Sequence, residues 1–309
     1  MTHPGTGKYE RLLERCRGLA PIPTAVAWPC DESSLEGAID AAKQGLIVPI
    51  LVGSAATIAE LARTKRIDLG TAEVVDVADS HAAAARAVQL VREGKAELLM
   101  KGSLHSDEIL GAVVAKDGLR AGRRLSHVFL MDVPTYHKPL IITDAAINIA
   151  PTLEDKVDIC QNAIDLARSF GVDRPKVAIL AAVETVSSKM PATLDAAALC
   201  KMAERGQIKG GVLDGPLAFD NAISSEAAKI KGIVSEVAGD PDILLAPDLE
   251  AGNMMAKQLS FLANADSAGL VLGARVPVIL TSRADSVRAR IASCAVAVLA
   301  AHARRQPSR

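Results

Sequence analysis

The sequence predicts an α/β protein whose sheets are mostly parallel. Three observations carry that expectation. Short apolar runs alternate with longer stretches of helical period. Most of the runs are apolar throughout rather than alternating, as strands buried on both faces are. Gly94, Gly171 and Gly206 stand where the helical stretches should stop. In chain order, 46–52 is an unbroken apolar run and 73–77 is a Val-rich one, each read as a strand. The Ala-rich stretch 79–93 reads as a helix ending at Gly94, and 97–100 as the strand that follows. Strands 127–133 and 140–143 come next, joined through Pro134 and Pro139 with no helix between them. Helix 153–170, strand 176–181, helix 195–204 and strands 211–213 and 243–245 continue the alternation. Helix 250–262, strands 269–272 and 276–280, and helix 287–303 complete it. Such alternation implies right-handed crossovers between parallel strands. The direct strand–strand link is the one break in the rhythm, and a domain boundary is expected there, at 138/139.

Composition sets further bounds. A chain of 309 residues is about two domains' worth. Hydrophobic residues make up 50 % and mean hydropathy is +0.23, which excludes a disordered chain. Aromatic residues are only 2 %, and 35 basic residues face 36 acidic ones, so a base-stacking nucleic-acid platform is not expected. Cys16, Cys30, Cys160, Cys200 and Cys294 are scattered and never spaced as CxxC, which argues for a reducing compartment and against a disulfide framework or zinc knuckle. The amino terminus has no apolar signal region, and no run approaches the ~18 residues of a membrane helix. A soluble, cytoplasmic protein with no membrane partner is expected.

In open parallel sheets ligands bind beyond the carboxyl ends of the strands, which directs attention to the residues after each run. Lys101, Gly102, Ser103, His105 and Ser106 follow the strand at 97–100. Asp144 and Asn148 follow 140–143, Glu184 follows 176–181, Asp220 follows 211–213, and Asn253 follows 243–245. Thr281-Ser282-Arg283-Ala284-Asp285-Ser286 follows 276–280. Small hydroxyls, amides and glycines at successive strand ends, with Lys101 and Arg283 as cations, describe an anion site to which helix amino termini would add N–H donors. The ordinary reading of 281–286 is a helix start, with Asp285 or Ser286 as its cap, and both readings can hold together. Gly5-Thr6-Gly7-Lys8 lacks the first glycine and the preceding strand of a phosphate loop and reads as a frayed terminus. No GxGxxG follows a strand, no GxSxG is present, and His105, His127 and His137 are not at metal-ligand spacing, so no metal is expected.

Taken together, these strand-end motifs resemble the phosphate acetyltransferase/phosphate butyryltransferase family. The resemblance rests on Leu99-Met100-Lys101-Gly102, Phe129-Leu130-Met131-Asp132, Ile142-Thr143-Asp144-Ala145-Ala146-Ile147-Asn148 and Gly215-Pro216-Leu217-Ala218-Phe219-Asp220. It continues in Pro247-Asp248-Leu249-Glu250-Ala251-Gly252-Asn253 and in the strand and turn from Pro277 to Ser286. It implies two α/β domains around a central cleft, like isocitrate and isopropylmalate dehydrogenases. The first would be discontinuous, 1–138 plus 270–309, and the second would be 139–269. It implies transfer of a short acyl group, acetyl to butyryl, between coenzyme A and inorganic phosphate. Coenzyme A would be a co-substrate, with no permanently bound cofactor, and the enzyme would be a homodimer. By the same likeness Ser282 and Arg283 are the reaction-centre pair. Asp285 and His105 are the groups near it able to take a proton. Lys101, Gly102, Ser103, Ser106, Asp144, Asn148, Asp220, Asn253 and Ser286 would bind substrate. Acetyl-type members carry an Asp seven residues beyond the serine. Here that position is Ala289, and the Thr-Ser-Arg-Ala-Asp-Ser form looks like the butyryl branch. The alternative reading is a non-catalytic acyl-CoA-sensing module. A metal-dependent hydroxy-acid dehydrogenase on the same fold would need an Asp cluster and a nucleotide fingerprint that the sequence lacks.

Overall fold

The computed structural model describes residues 7–281 and 285–305. The chain runs α1 (Lys8–Cys16), β1 (Ile22–Ala27), α2 (Glu32–Lys43), β2 (Ile47–Gly53), α3 (Ala55–Lys65), β3 (Glu73–Asp76), α4 (Ser80–Arg92), β4 (Leu98–Lys101) and α5 (Ser106–Val114). It continues through β5 (Ser126–Asp132), β6 (Leu140–Thr143), α6 (Leu153–Ser169), β7 (Lys176–Leu180), α7 (Pro191–Glu204), β8 (Val212–Leu217), α8 (Phe219–Ile223), α9 (Ser225–Ile230), β9 (Ile243–Leu245) and α10 (Leu249–Leu262). It closes with β10 (Asp266–Leu272), β11 (Val278–Ile279) and α11 (Val287–Arg305). Every strand and helix expected from the sequence is present, and the three helix-ending glycines adopt positive φ at 72°, 76° and 75°. The sequence reading missed β1 because Pro21 and Pro23 make it look like a turn or edge. It is instead an interior strand, paired in parallel with β2 on one side and β4 on the other.

Two compact units divide the chain. One takes in Tyr9–Arg123 and the described residues from Ala268 onward; the other takes in Arg124–Ser267 together with Gly7 and Lys8. The division falls at Arg123/Arg124, whereas the sequence reading put it at 138/139. The physical reason is local. β5 and β6 pair antiparallel, from Val128 opposite Thr143 to Met131 opposite Leu140, so the helix-free link is a hairpin turn inside one unit.

In the first unit the strand order is β3-β2-β1-β4-β11-β10, parallel except for the β10–β11 pair. Consecutive strands β1, β2 and β3 progress toward one edge, then the chain returns to place β4 on the other side of β1. Helix α2 packs with α3 and α11, whereas α4 packs with α5. The order therefore reverses between β1 and β4, which is where an open α/β sheet leaves a crevice at its carboxyl end. Helix α11 is buried along nearly its whole length from Ala289 to Ala301, and its run of Ala, Ser, Cys and Val lets it lie close against α2 and β11. Among the described residues no helix is long and apolar enough to cross a membrane.

The second unit has the order β5-β6-β9-β7-β8, parallel from β6 to β8. Ile142, Ala178 and Leu244 are fully buried from three neighbouring strands, and Ala222 of α8 and Ala256 of α10 close over them. Each fully buried large aliphatic side chain contributes about 1.5–3 kcal/mol. Lys8, read as part of a frayed terminus, is buried, with Nζ 2.9 Å from Asp132 and donating to the Val133 carbonyl at 2.7 Å. Gly5 and Thr6 lie outside the described residues.

A charged pin holds the amino ends of β6 and β7. Lys176, Lys138 and His137 approach the Asp240 carboxylate at 2.6, 3.0 and 2.9 Å. Burial pushes the Asp240 carboxyl up, but hydrogen bonds from Lys176 and Lys138, with their charges, outweigh it and bring the pKa down to about 2. A carboxyl depressed by folding contributes stability that is present above its unfolded pKa and lost as pH falls through the folded one. Asp240→Asn should therefore lower Tm at neutral pH. The gap to the parent should close between about pH 4 and pH 2. The side chain is 42 % exposed, so salt should shrink the gap as well. Thermal unfolding across pH checks this.

Candidate active site

Register brings two of the sequence-predicted segments together. Ala27 at the end of β1 pairs with Lys101 at the end of β4, and Met100 of β4 pairs with Ile279 of β11. Three parallel strands thus end side by side. The Lys101–Ser106 loop and the chain leaving β11 through Thr281 project from adjacent carboxyl ends, at the reversal point of the strand order.

The β4 loop is held by backbone. Gly102 donates to the Ala27 carbonyl at 2.8 Å, and the Ser103 amide and hydroxyl both donate to the Trp28 carbonyl at 2.9 Å. A Cβ at Gly102 would fall 2.4 Å from the Trp28 oxygen, so only glycine permits this approach. Lys101 is buried, with Nζ donating to the Gly102 carbonyl at 3.3 Å. Ser106 opens α5, and exposed His105 stands at its N-cap, its amide donating to Glu108 Oε1 at 3.4 Å. The loop therefore ends in a helix amino terminus, where N–H groups attract anions.

Beyond β11, Ser282 and Arg283 lie outside the described residues. Ser286 is the cap of α11, its Oγ accepting from the Ala289 amide at 3.1 Å. This separates the two caps the sequence left open and leaves Asp285, half-buried, one residue ahead of the capping position. Ala289 is buried in the first turn and carries no proton-transfer group.

The second unit gathers its own predicted residues at strand carboxyl ends, since Thr143 pairs with Leu245 and Ile179 also pairs with Leu245. Asp144 is buried, and its own loop occupies it. Oδ1 accepts from the amides of His127, Ala146 and Ile147 at 3.2, 2.9 and 3.2 Å. Oδ2 accepts from the Asn148 amide at 3.1 Å and from its Nδ2 at 2.5 Å. Asn148 also donates to the Leu125 carbonyl at 2.8 Å and accepts from Arg124 Nε at 2.7 Å. These two side chains shape the loop. Asn253, in the first turns of α10, donates to the Ala145 carbonyl at 2.9 Å and so ties α10 to the same loop. Asp220 is exposed and paired with Lys231 at 3.0 Å, while Lys231 also reaches Glu184 at 3.1 Å. The Lys231 hydrogen bonds hold both carboxyls below their usual range, and the carboxylates in turn hold Lys231 above its own. Buried Asn221 donates to Glu184 at 3.1 Å and completes this cluster.

Sequence reasoning missed Trp28 as a contributor. Trp28 adopts positive φ (55°) at the strand end to present its carbonyl to the β4 loop, and it escaped notice because β1 did. The one signal in the sequence was a lone Trp followed by Pro29. Burial raises the pKa of all five cysteine thiols, Cys16 to about 11 and Cys294 to about 12, so none is an activated nucleophile. Among the described residues no group of three or more His, Cys, Asp or Glu could hold a metal ion.

Fold and site define an α/β protein of the mostly parallel class, with polar, glycine-bearing loops and helix amino termini at the carboxyl ends of its strands. The profile of the family described as phosphate acetyl/butaryl transferase matches residues 81–298, which include both the β4 loop and the β11–α11 turn. The chain is 66 % identical to a phosphate acetyltransferase of Rhizobium meliloti over 96 % of its own length and 95 % of that protein. It is 44 % identical to a phosphate butyryltransferase of Clostridium beijerinckii, over 95 % and 97 %. A branched-chain phosphotransacylase from Enterococcus faecalis superposes with a TM-score of 0.77 at 29 % identity, covering 91 % of this chain and 99 % of that one. The chain belongs to the phosphate acetyl/butyryl transferase family.

Proposed function

We propose that this protein is a phosphate acyltransferase that moves a short acyl group, acetyl to butyryl, reversibly between coenzyme A and inorganic phosphate. The observation that carries the reading is the side-by-side ending of β4 and β11, from which the Lys101–Ser106 loop and Thr281 follow within the family-matched region. The regulatory alternative finds no support: named acyltransferases match the chain over nearly their full length.

In the reaction a phosphate oxygen attacks the acyl carbonyl carbon, the carbonyl oxygen gathers negative charge, and the carbon–sulfur bond breaks. The departing thiolate then takes up a proton. Arg283 meets the growing charge, Ser282 positions the sulfur, and Lys101 with the amino termini of α5 and α11 offsets the charge of phosphate. Gly102, Ser103, Ser106 and Ser286 shape that pocket. Asp144 and Asn148, with Asn253, set the loop after β6, and Asp220 presents a carboxylate at the end of β8. The same reading includes the discontinuous two-domain organisation with its isocitrate dehydrogenase-like architecture, a homodimer, and a cytoplasmic location. Acyl preference is a matter of pocket volume, each methylene being worth about 1–3 kcal/mol, so the higher identity to an acetyltransferase and the butyryl-like form of 281–286 are compatible. Phosphate-dependent release of coenzyme A from acetyl-, propionyl- and butyryl-CoA tests the assignment. Absence of release from all three would refute it.

A thiol with a pKa near ~8.5 is mostly protonated at neutral pH, so the reverse reaction needs a base. Ala289 cannot serve. Because Ser286 is the residue that caps α11, Asp285→Asn should leave the cap and Tm intact. It should lower kcat by about 100-fold, the low end of general acid–base contributions. His105→Gln should have the smaller effect. Full activity in Asp285→Asn, His105→Gln and the double variant would exclude both.

A further inference from the structure

Arg290 lies in the first turn of α11 and is only 3 % exposed. Its Nη1 donates to Thr281 Oγ1 at 3.2 Å, and Nη2 donates to Ser33 Oγ at 3.4 Å, in the first turn of α2. Its stem lies against Gly37 of the same helix, where an added Cβ would stand 2.9 Å from Arg290 Cδ. Physical chemistry disfavours a cation at this place. The helix dipole is positive at its amino terminus. Burying a guanidinium also costs desolvation that a methionine of similar length would avoid. Packing alone therefore does not account for arginine here.

We propose that Arg290 is a positioning residue: its fork fixes Thr281, the residue immediately before Ser282, against α2 and α11. The inference rests on the reading that Ser282 and Arg283 form the reaction centre. Holding Thr281 fixes the direction in which the chain leaves β11. Thr281 is held by side chain, where Gly102 in the neighbouring loop is held by backbone. Reacting groups misplaced by about 1 Å can lose on the order of 10²-fold in rate, so the pair has leverage on turnover without touching substrate.

Steady-state kinetics and thermal unfolding of Arg290→Met, Arg290→Lys, Thr281→Val, the Thr281→Val/Arg290→Met double variant and Gly37→Ala test this. Arg290→Met and Thr281→Val should each lower kcat by about 10- to 100-fold, with smaller changes in KM. Arg290→Met should keep Tm, whereas Thr281→Val, which removes the acceptor of a buried guanidinium N–H, should lower it by a few degrees. Arg290→Lys should not restore the rate, because a point charge lacks the two-pronged geometry. The double variant should be no slower than the slower single one, since both break one unit. Gly37→Ala should lower kcat by crowding the arginine stem while keeping or raising Tm, because alanine favours the helix. It serves as the test should Arg290→Met fail to fold. Parent-like kcat in Thr281→Val and Gly37→Ala, or multiplying effects in the double variant, would overturn the inference. Ser282→Ala separates the two readings. If it abolishes turnover while Thr281→Val and Arg290→Met keep theirs, only the positioning role falls. If it keeps parent turnover, the reaction-centre reading falls and the inference with it.

Discussion

Arg283→Ala is expected to lower turnover by about 100-fold or more, in both directions, with little change in Tm. The arginine is the one cation within the Thr281–Ser286 stretch. That stretch leaves a strand paired to β4 and leads into the capped amino terminus of α11. Charge grows on the acyl oxygen only as the carbon becomes tetrahedral, so a donor placed there stabilises the transition state more than the substrates. Loss of one such donor costs about 10²–10³ in kcat. The signature is a fall in kcat that is matched in kcat/KM; a rise in KM alone would mean that Arg283 only binds phosphate. Stopped measurement of coenzyme A release, with Tm as the folding control, decides between them. Parent-like turnover in a folded Arg283→Ala would remove the residue from the reaction centre.

Gly102→Ala is expected to damage both stability and activity. The new methyl would meet backbone, not a yielding side chain: the Trp28 and Ala27 carbonyl oxygens at 2.4 and 2.5 Å. Something must shift. The hydrogen bonds most exposed to that shift are those from Gly102 to Ala27 and from Ser103 to Trp28. Overpacking of this kind costs about 1–3 kcal/mol, and Tm should fall by several degrees. Lys101 sits at the displaced point, so kcat/KM should drop by about 10²-fold, beyond what partial unfolding explains. Gly111→Ala provides the contrast. It lies in α5 with nothing within 4 Å of the added Cβ, so Tm should hold or rise and activity should persist. If Gly102→Ala behaved like Gly111→Ala, the tight β1–β4 contact would not be what sets the loop.

The sequence by itself determined the fold class and every strand but β1, though not the helices α1, α2, α3, α8 and α9. Unbroken apolar runs such as 243–245 are strands because only a position covered on both faces repays burying every side chain in succession. Glycines 94, 171 and 206 end helices because the left-handed turn there penalises any Cβ. The strand-end rule likewise placed Lys101, Gly102, Asp144 and Asn253 at or beyond the carboxyl ends of strands from order alone. Tertiary structure decided the rest. Pairing across the sheet turned the proline-flanked 22–27 segment into an interior strand, because hydrogen bonds from two neighbours outweigh local propensity. It made the Pro134–Pro139 link a hairpin within one unit, since register between distant residues is not written in either strand. It assigned the α11 cap to Ser286 and turned the Asp144 carboxylate inward onto five donors, a matter of which N–H groups the fold brings within reach. Arg290 shows the same division. Its sequence marks only a charged helix start. Burial against Gly37 and a bond to Thr281 come from packing α11 on α2, a contact between residues more than two hundred positions apart.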